Sequence, residues 1–73
     1  MKLNRRQTDI IKMILESDTI NSESIAACLH VSSKTVRNEI NQINSLFNNL
    51  IVGVKSQGYS IADKKLAKNI QIL

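Results

Sequence analysis

The chain has 73 residues, with 10 Lys plus Arg against 6 Asp plus Glu, which permits one small domain burying only about 60% of the surface its unfolded chain exposes. The net charge of +4 and pI near 9.6 lean toward a polyanionic partner. A single cysteine, Cys28, excludes an internal disulfide, and neither a signal-peptide pattern behind MKLNRRQTD nor a run of about 18 apolar residues is present, so the chain reads as cytoplasmic with no membrane partner.

In chain order, Asn4 is placed to cap a first helix over about 5 to 16, with Gln7 three residues on as in a capping box. Its core stripe is Ile10, Ile11, Ile14 and Leu15. Ser17-Asp18-Thr19 breaks it, and Ile20 has room for one or two extended residues before Asn21 caps a second helix at about 22 to 29. Ile25, Ala26, Cys28 and Leu29 are expected on the buried side of that helix, with Cys28 acting as a small hydrophobe. His30-Val31 turns the chain into Ser32, the cap of a third helix running to about Phe47. Asn48-Asn49 is its expected stop.

Beyond this point the period changes from helical to alternating. "LIVGVKSQGYSIAD" predicts two short strands, about 51 to 55 and 59 to 62, joined around Ser56-Gln57-Gly58. Val52 and Val54 are expected to face Tyr59 and Ile61. The predicted fold is therefore mainly α with a small β-hairpin, a winged helix-turn-helix of three helices plus wing spanning residues 1–62.

The third helix carries the most pointed signal. Val36, Ile40, Ile43 and Phe47 recur at spacings of four, three and four, as a core-facing stripe does. Lys34, Asn38, Asn41 and Ser45 then point away from it, with Arg37 on the flank and Glu39 nearer the core edge. That outward face holds cations and amides and no acid. Lys34 sits in the first turn, where the helix dipole disfavours a cation by about 0.3 to 1 kcal/mol, a placement that suits a docked anion.

Catalytic chemistry is not indicated. Gly53 and Gly58 form no phosphate-cradling loop, no nucleophile stands beside a base, and the lone His30 has no second His, Cys pair or acid cluster to complete a metal site. No enzyme activity, cofactor or metal is expected.

"SIAACLHVSSKTVRNEINQIN" resembles the helix-turn-helix of bacterial transcription regulators, and "VKSQGYSI" resembles their wing ending in a Gly-Tyr pair. With "LNRRQTDIIKMIL", residues 1 to about 62 are similar to the N-terminal winged-helix domain of sugar-phosphotransferase-linked operon regulators of the mannitol and lichenan activator type. The biotin operon repressor's N-terminal domain shares the Gly-Tyr-Ser wing and is the close rival. One position departs from the pattern: four residues after the small Ala26, such motifs usually place Gly, and His30 stands there. His visits left-handed backbone conformations more readily than bulky residues, so an unusual turn angle is expected rather than a different fold.

The resemblance implies sequence-specific binding of double-stranded DNA, with the third helix in the major groove. Lys34 and Arg37 would hold phosphates or a guanine edge. Asn38 and Asn41 would offer adenine a paired donor and acceptor, and Ser33 and Thr35 would hold backbone phosphates near the helix start. Lys55 beside the wing tip is expected on flanking backbone or in the minor groove, and one of Arg5 or Arg6 at the first helix start on a flanking phosphate. The scarcity of aromatics, Phe47 and Tyr59, argues against a binder that stacks single-stranded bases. The alternative is a winged-helix module that binds protein without DNA, which would need apolar anchors on the outward face.

Residues 63–73, "DKKLAKNIQIL", keep a helical stripe of Leu66, Ala67, Ile70 and Leu73, while Ile70 and Ile72 alternate as a strand would. The stripe has no partner within the wing. This segment is expected to be a linker or the start of a following domain, the chain being the DNA-binding part of a longer regulator that pairs as a homodimer. In the sugar-regulator family the following domain is a phosphorylatable helical one.

Overall fold

A computed structural model describes the backbone of residues 3–72 and the side chains of residues 3–69. In chain order the described elements are α1 (Arg5–Ser17), α2 (Ser22–Leu29), α3 (Ser33–Phe47), β1 (Ile51–Val54), β2 (Gly58–Ile61) and α4 (Lys64–Ile72). The fold is a winged helix-turn-helix, with one more helix after the wing.

Each helix boundary has a local cause. Asn4 is extended, its side chain accepts from the Gln7 amide at 2.8 Å, and the Gln7 side chain accepts from the Asn4 amide at 3.1 Å, completing the capping box. Asn21 caps α2 by accepting from Ser24 N at 2.8 Å, and Ser32 caps α3 by accepting from Thr35 N at 3.1 Å. Between them the chain reverses at His30, which is left-handed at φ 58 and ψ 44, while Val31 N returns to the Ala26 carbonyl at 3.1 Å. Residues 28 to 34 are thus two helices and a turn, with the unusual angle at His30. Asn48 and Asn49, both at positive φ, end α3 as expected.

The core joins all of these elements. Ile10, Ile11 and Ile14 of α1 are sealed with Ile25 and Ala26 of α2, Val36, Ile40 and Ile43 of α3, Leu50, and Ile51 and Ile61 of the hairpin. Leu15, Leu29 and Phe47 are half-buried against it. Cys28 is a correction, because it is exposed. Its physical reason is angular: at about 100° per residue, Ser22, Ile25, Ala26 and Leu29 share one side of α2 and Cys28 falls roughly 110° from its centre.

The hairpin register is a second correction. Ile51 pairs with Ile61, Val52 with Ser60, Gly53 with Tyr59 and Val54 with Gly58. Val52 and Val54 therefore do not face Tyr59 and Ile61; Val52 is 39% exposed, and Ile51 and Ile61 occupy the core face. Side chains alternate along a strand, so one residue of register exchanges the two faces, and the larger isoleucine pair takes the dry side.

Two clamps fix the wing to the helices. Ile20 forms an antiparallel bridge to Tyr59, with Tyr59 N donating to Ile20 O at 2.8 Å and Ile20 N to Tyr59 O at 3.1 Å. The Asn44 side chain grips Ile51, donating to its carbonyl at 2.9 Å and accepting from its amide at 2.8 Å. Gly58 sits at φ +114, and a Cβ there would lie 2.4 Å from the Ile20 carbonyl oxygen. Only glycine permits this approach.

Residues 64–72 are helical rather than extended, and the tail's partner is α1, not the wing. Asp63 accepts from Leu66 N at 3.0 Å and Ala67 is fully buried, whereas Leu66 remains exposed. The Lys64 ammonium, 2.9 Å from Asp18, holds that carboxyl below its usual range. Leu73, expected on the tail stripe, and the Ile70 and Ile72 side chains lie outside the described residues.

Candidate nucleic-acid interface

The outward face of α3 is built by the same stripe that buries its other side. With Val36, Ile40 and Ile43 held in the core, Lys34, Arg37, Asn38, Asn41 and Ser45 are all exposed. The first four are the expected groove-facing side chains, and α3 brings them together within two turns. No acid interrupts them. Glu39 is only 8% exposed and is turned inward against α1.

At the start of the helix the arrangement is tighter than a list of free donors. Ser33 and Thr35 are half-buried, and the Thr35 hydroxyl lies 2.9 Å from that of Ser32. Thr35 therefore shares its hydroxyl with the cap. The α3 amides at this end, apart from the one Ser32 takes, project with the dipole's positive end in the direction that suits an anion.

Arg5 and Lys55 stand on other elements. Arg5 opens α1 with its side chain 91% exposed and its Nε 3.7 Å from Asp9, an exposed pair worth little in water. Lys55 is exposed beside the hairpin tip, where Ser56 adopts φ 69 and Gln57 N closes on Val54 O at 3.0 Å. Arg6, the other cation of the first turn, is committed elsewhere: its Nη1 donates to Glu39 Oε2 at 3.2 Å.

Gln42 is a member of this surface that the sequence reading passed over. It is exposed and, at about 100° per residue, stands as far from the core stripe as Asn41 does. Its spacing of four from Asn38 was the signal that could have found it. Asn44 was passed over as well. It is half-buried in the wing clamp, a long-range role that no local spacing announces.

Among the described residues no three His, Cys, Asp or Glu side chains gather as a metal site, and no helix is long and apolar enough to cross a membrane. What the surface offers is fixed positive charge, amide pairs and hydroxyls on one convex helix. That set suits a phosphate-lined groove with base edges at its floor.

A family model described as an HTH domain matches residues 6–60, from the first turn of α1 into the second strand of the wing. No curated protein and no solved structure matches the chain.

Proposed function

Because this chain belongs to the HTH domain family, a family of DNA-binding helix-turn-helix modules, we propose that it reads duplex DNA for a transcription regulator, with α3 in the major groove and the wing on flanking backbone. The observation that carries this reading is the composition of α3's two sides. All the exposed charge is positive, and its single acid is buried and hydrogen-bonded to α1. A protein-binding face would present aromatic or aliphatic anchors there, and this one presents amides and cations.

In this reading Lys34 and Arg37 hold phosphates or a guanine edge. Asn38 and Asn41 read adenine through paired hydrogen bonds, and Ser33 and Thr35 hold phosphate near the helix start. Lys55 and Arg5 add flanking phosphate contacts. One recognition helix spans only a few base pairs, so two copies in a full-length homodimer would sit on half-sites about 34 to 36 Å apart. The resemblance of the wing and first helix to sugar-phosphotransferase-linked regulators supports a carbohydrate-uptake operon as the target. Selection of genomic fragments by the chain tests that finer point, since enrichment of unrelated promoters contradicts it.

The test of the binding mode is a salt titration. If Lys34, Arg37, Lys55 and Arg5 each neutralise one phosphate, log affinity falls with log salt at a slope of about −3.6. Arg37→Ala should flatten that slope by about 0.9 on specific and scrambled duplexes alike. Affinity independent of salt would overturn the reading.

A further inference from the structure

The capping box of α1 does more than end a helix. With Gln7 Oε1 occupied by the Asn4 amide at 3.1 Å, the other end of that amide is turned toward α3. There Gln7 Nε2 donates to Glu39 Oε1 at 3.0 Å and to Gln42 Oε1 at 3.0 Å. Arg6, from the same turn, donates to Glu39 Oε2 at 3.2 Å. Gln7 is 4% exposed and Glu39 8%, so the bond between them is buried while the Arg6 and Gln42 arms reach the surface, and both amide ends of Gln7 are used.

The rest of the contact between α1 and α3 is apolar and branched: Ile10, Ile11 and Ile14 share a core with Val36, Ile40 and Ile43. Apolar packing is non-directional, and cores of this kind lose uniqueness before they lose stability. Hydrogen bonds between fixed donors and acceptors are directional. The link therefore supplies what the stripe lacks, a preferred rotation of α3 about its own axis.

Rotation matters at the surface. Gln42 and Asn38 stand about 40° apart around the helix, and a 10° turn carries a side-chain tip at a radius of 5 to 6 Å through about 1 Å. A two-point hydrogen bond to a base edge tolerates a few tenths of an ångström.

We propose that Arg6, Gln7, Glu39 and Gln42 form a positioning network that sets the rotation of α3 and so the base preference of Asn38, with Gln7 as its hub. This rests on the reading that the outward face of α3 reads duplex DNA. Gln7 acts through α3 and does not itself reach the groove.

The experiment is a double-mutant cycle in the full 73-residue chain. Its probes are a duplex selected by wild type from a randomised pool and a scrambled duplex. Gln7→Met keeps the length and helical preference of the side chain and removes its polar ends. In wild type, Asn38→Ala should lower the ratio of specific to scrambled affinity roughly tenfold. In the Gln7→Met background that ratio should already have fallen, and Asn38→Ala should change it less than about twofold, since a misaligned amide has little left to lose. The salt slope should stay that of wild type in every variant, because no cation has been removed.

If Gln7→Met fails to fold by circular dichroism, Glu39→Met, at a position turned inward and away from the groove-facing side chains, cuts the Gln7–Glu39 and Arg6–Glu39 arms and carries the same cycle. Equal losses from Asn38→Ala in both backgrounds overturn the positioning role while leaving DNA reading intact. A silent Asn38→Ala in wild type overturns the reading of the face, and the network proposal falls with it.

Discussion

In the three-helix part of the molecule, Ile10, Ile11, Ile14, Ile25, Val36 and Ile43 are wholly removed from water, and each helix brings its own cap. In the wing, two strands of four residues contribute Ile51 and Ile61 to that core and leave Val52 in solvent. A two-stranded hairpin is marginal by itself. What holds it are four hydrogen bonds, two from Asn44 and two to Ile20, together with the close approach of Gly58. The difference teaches where each part tolerates change. The helices stand on summed, non-directional burial, and the wing stands on a few contacts that must be placed within ångströms.

The largest expected effect lies in the helical part. Ile14→Ala empties a fully buried site in the C-terminal half of α1 and should cost about 2 to 5 kcal/mol in denaturant unfolding. All probes should shift together, since this core is shared. A loss confined to the helices, with the wing's own signal unmoved, would break the comparison.

Gly58→Ala comes next and acts on the wing. The new Cβ must displace the Ile20 backbone and hold φ +114, so about 3 kcal/mol should be lost. Amide hydrogen exchange should accelerate first in residues 51–61 and at Ile20. Uniform acceleration across α1 and α3 would show that the two parts are not held separately.

A smaller change, of opposite sign, sharpens the same contrast. His30 already tolerates the left-handed turn, so His30→Gly should relieve strain and raise stability by up to about 1 kcal/mol, read as a higher melting temperature. A fall in stability would mean that the His30 side chain contributes something the turn geometry does not.

These contrasts also explain what was legible in the sequence. The Asn4–Gln7 box, the Asn21 and Ser32 caps and the His30 turn are fixed within about four residues of chain, and each stands where the residue types indicate. The same holds for the stripe of α3, and with it the exposure of Lys34, Arg37, Asn38 and Asn41. The wing register was not legible, because Val52 and Ile51 both satisfy an alternating pattern and the choice is made by a core assembled from distant helices. Cys28 was misplaced since α2 is eight residues long, too short for spacing alone to centre its buried side. The Gln7–Glu39–Gln42 link joins residues more than thirty apart, and no local pattern could have announced it.

The central claim is that the outward face of α3 meets duplex DNA, and backbone amide chemical shifts followed during titration with the selected duplex test it most directly. The account predicts that perturbations concentrate at Ser33, Lys34, Arg37, Asn38 and Asn41, with a smaller set at residues 55–57 of the wing tip. Perturbations centred on α4 around the exposed Leu66, with α3 unmoved, would contradict it.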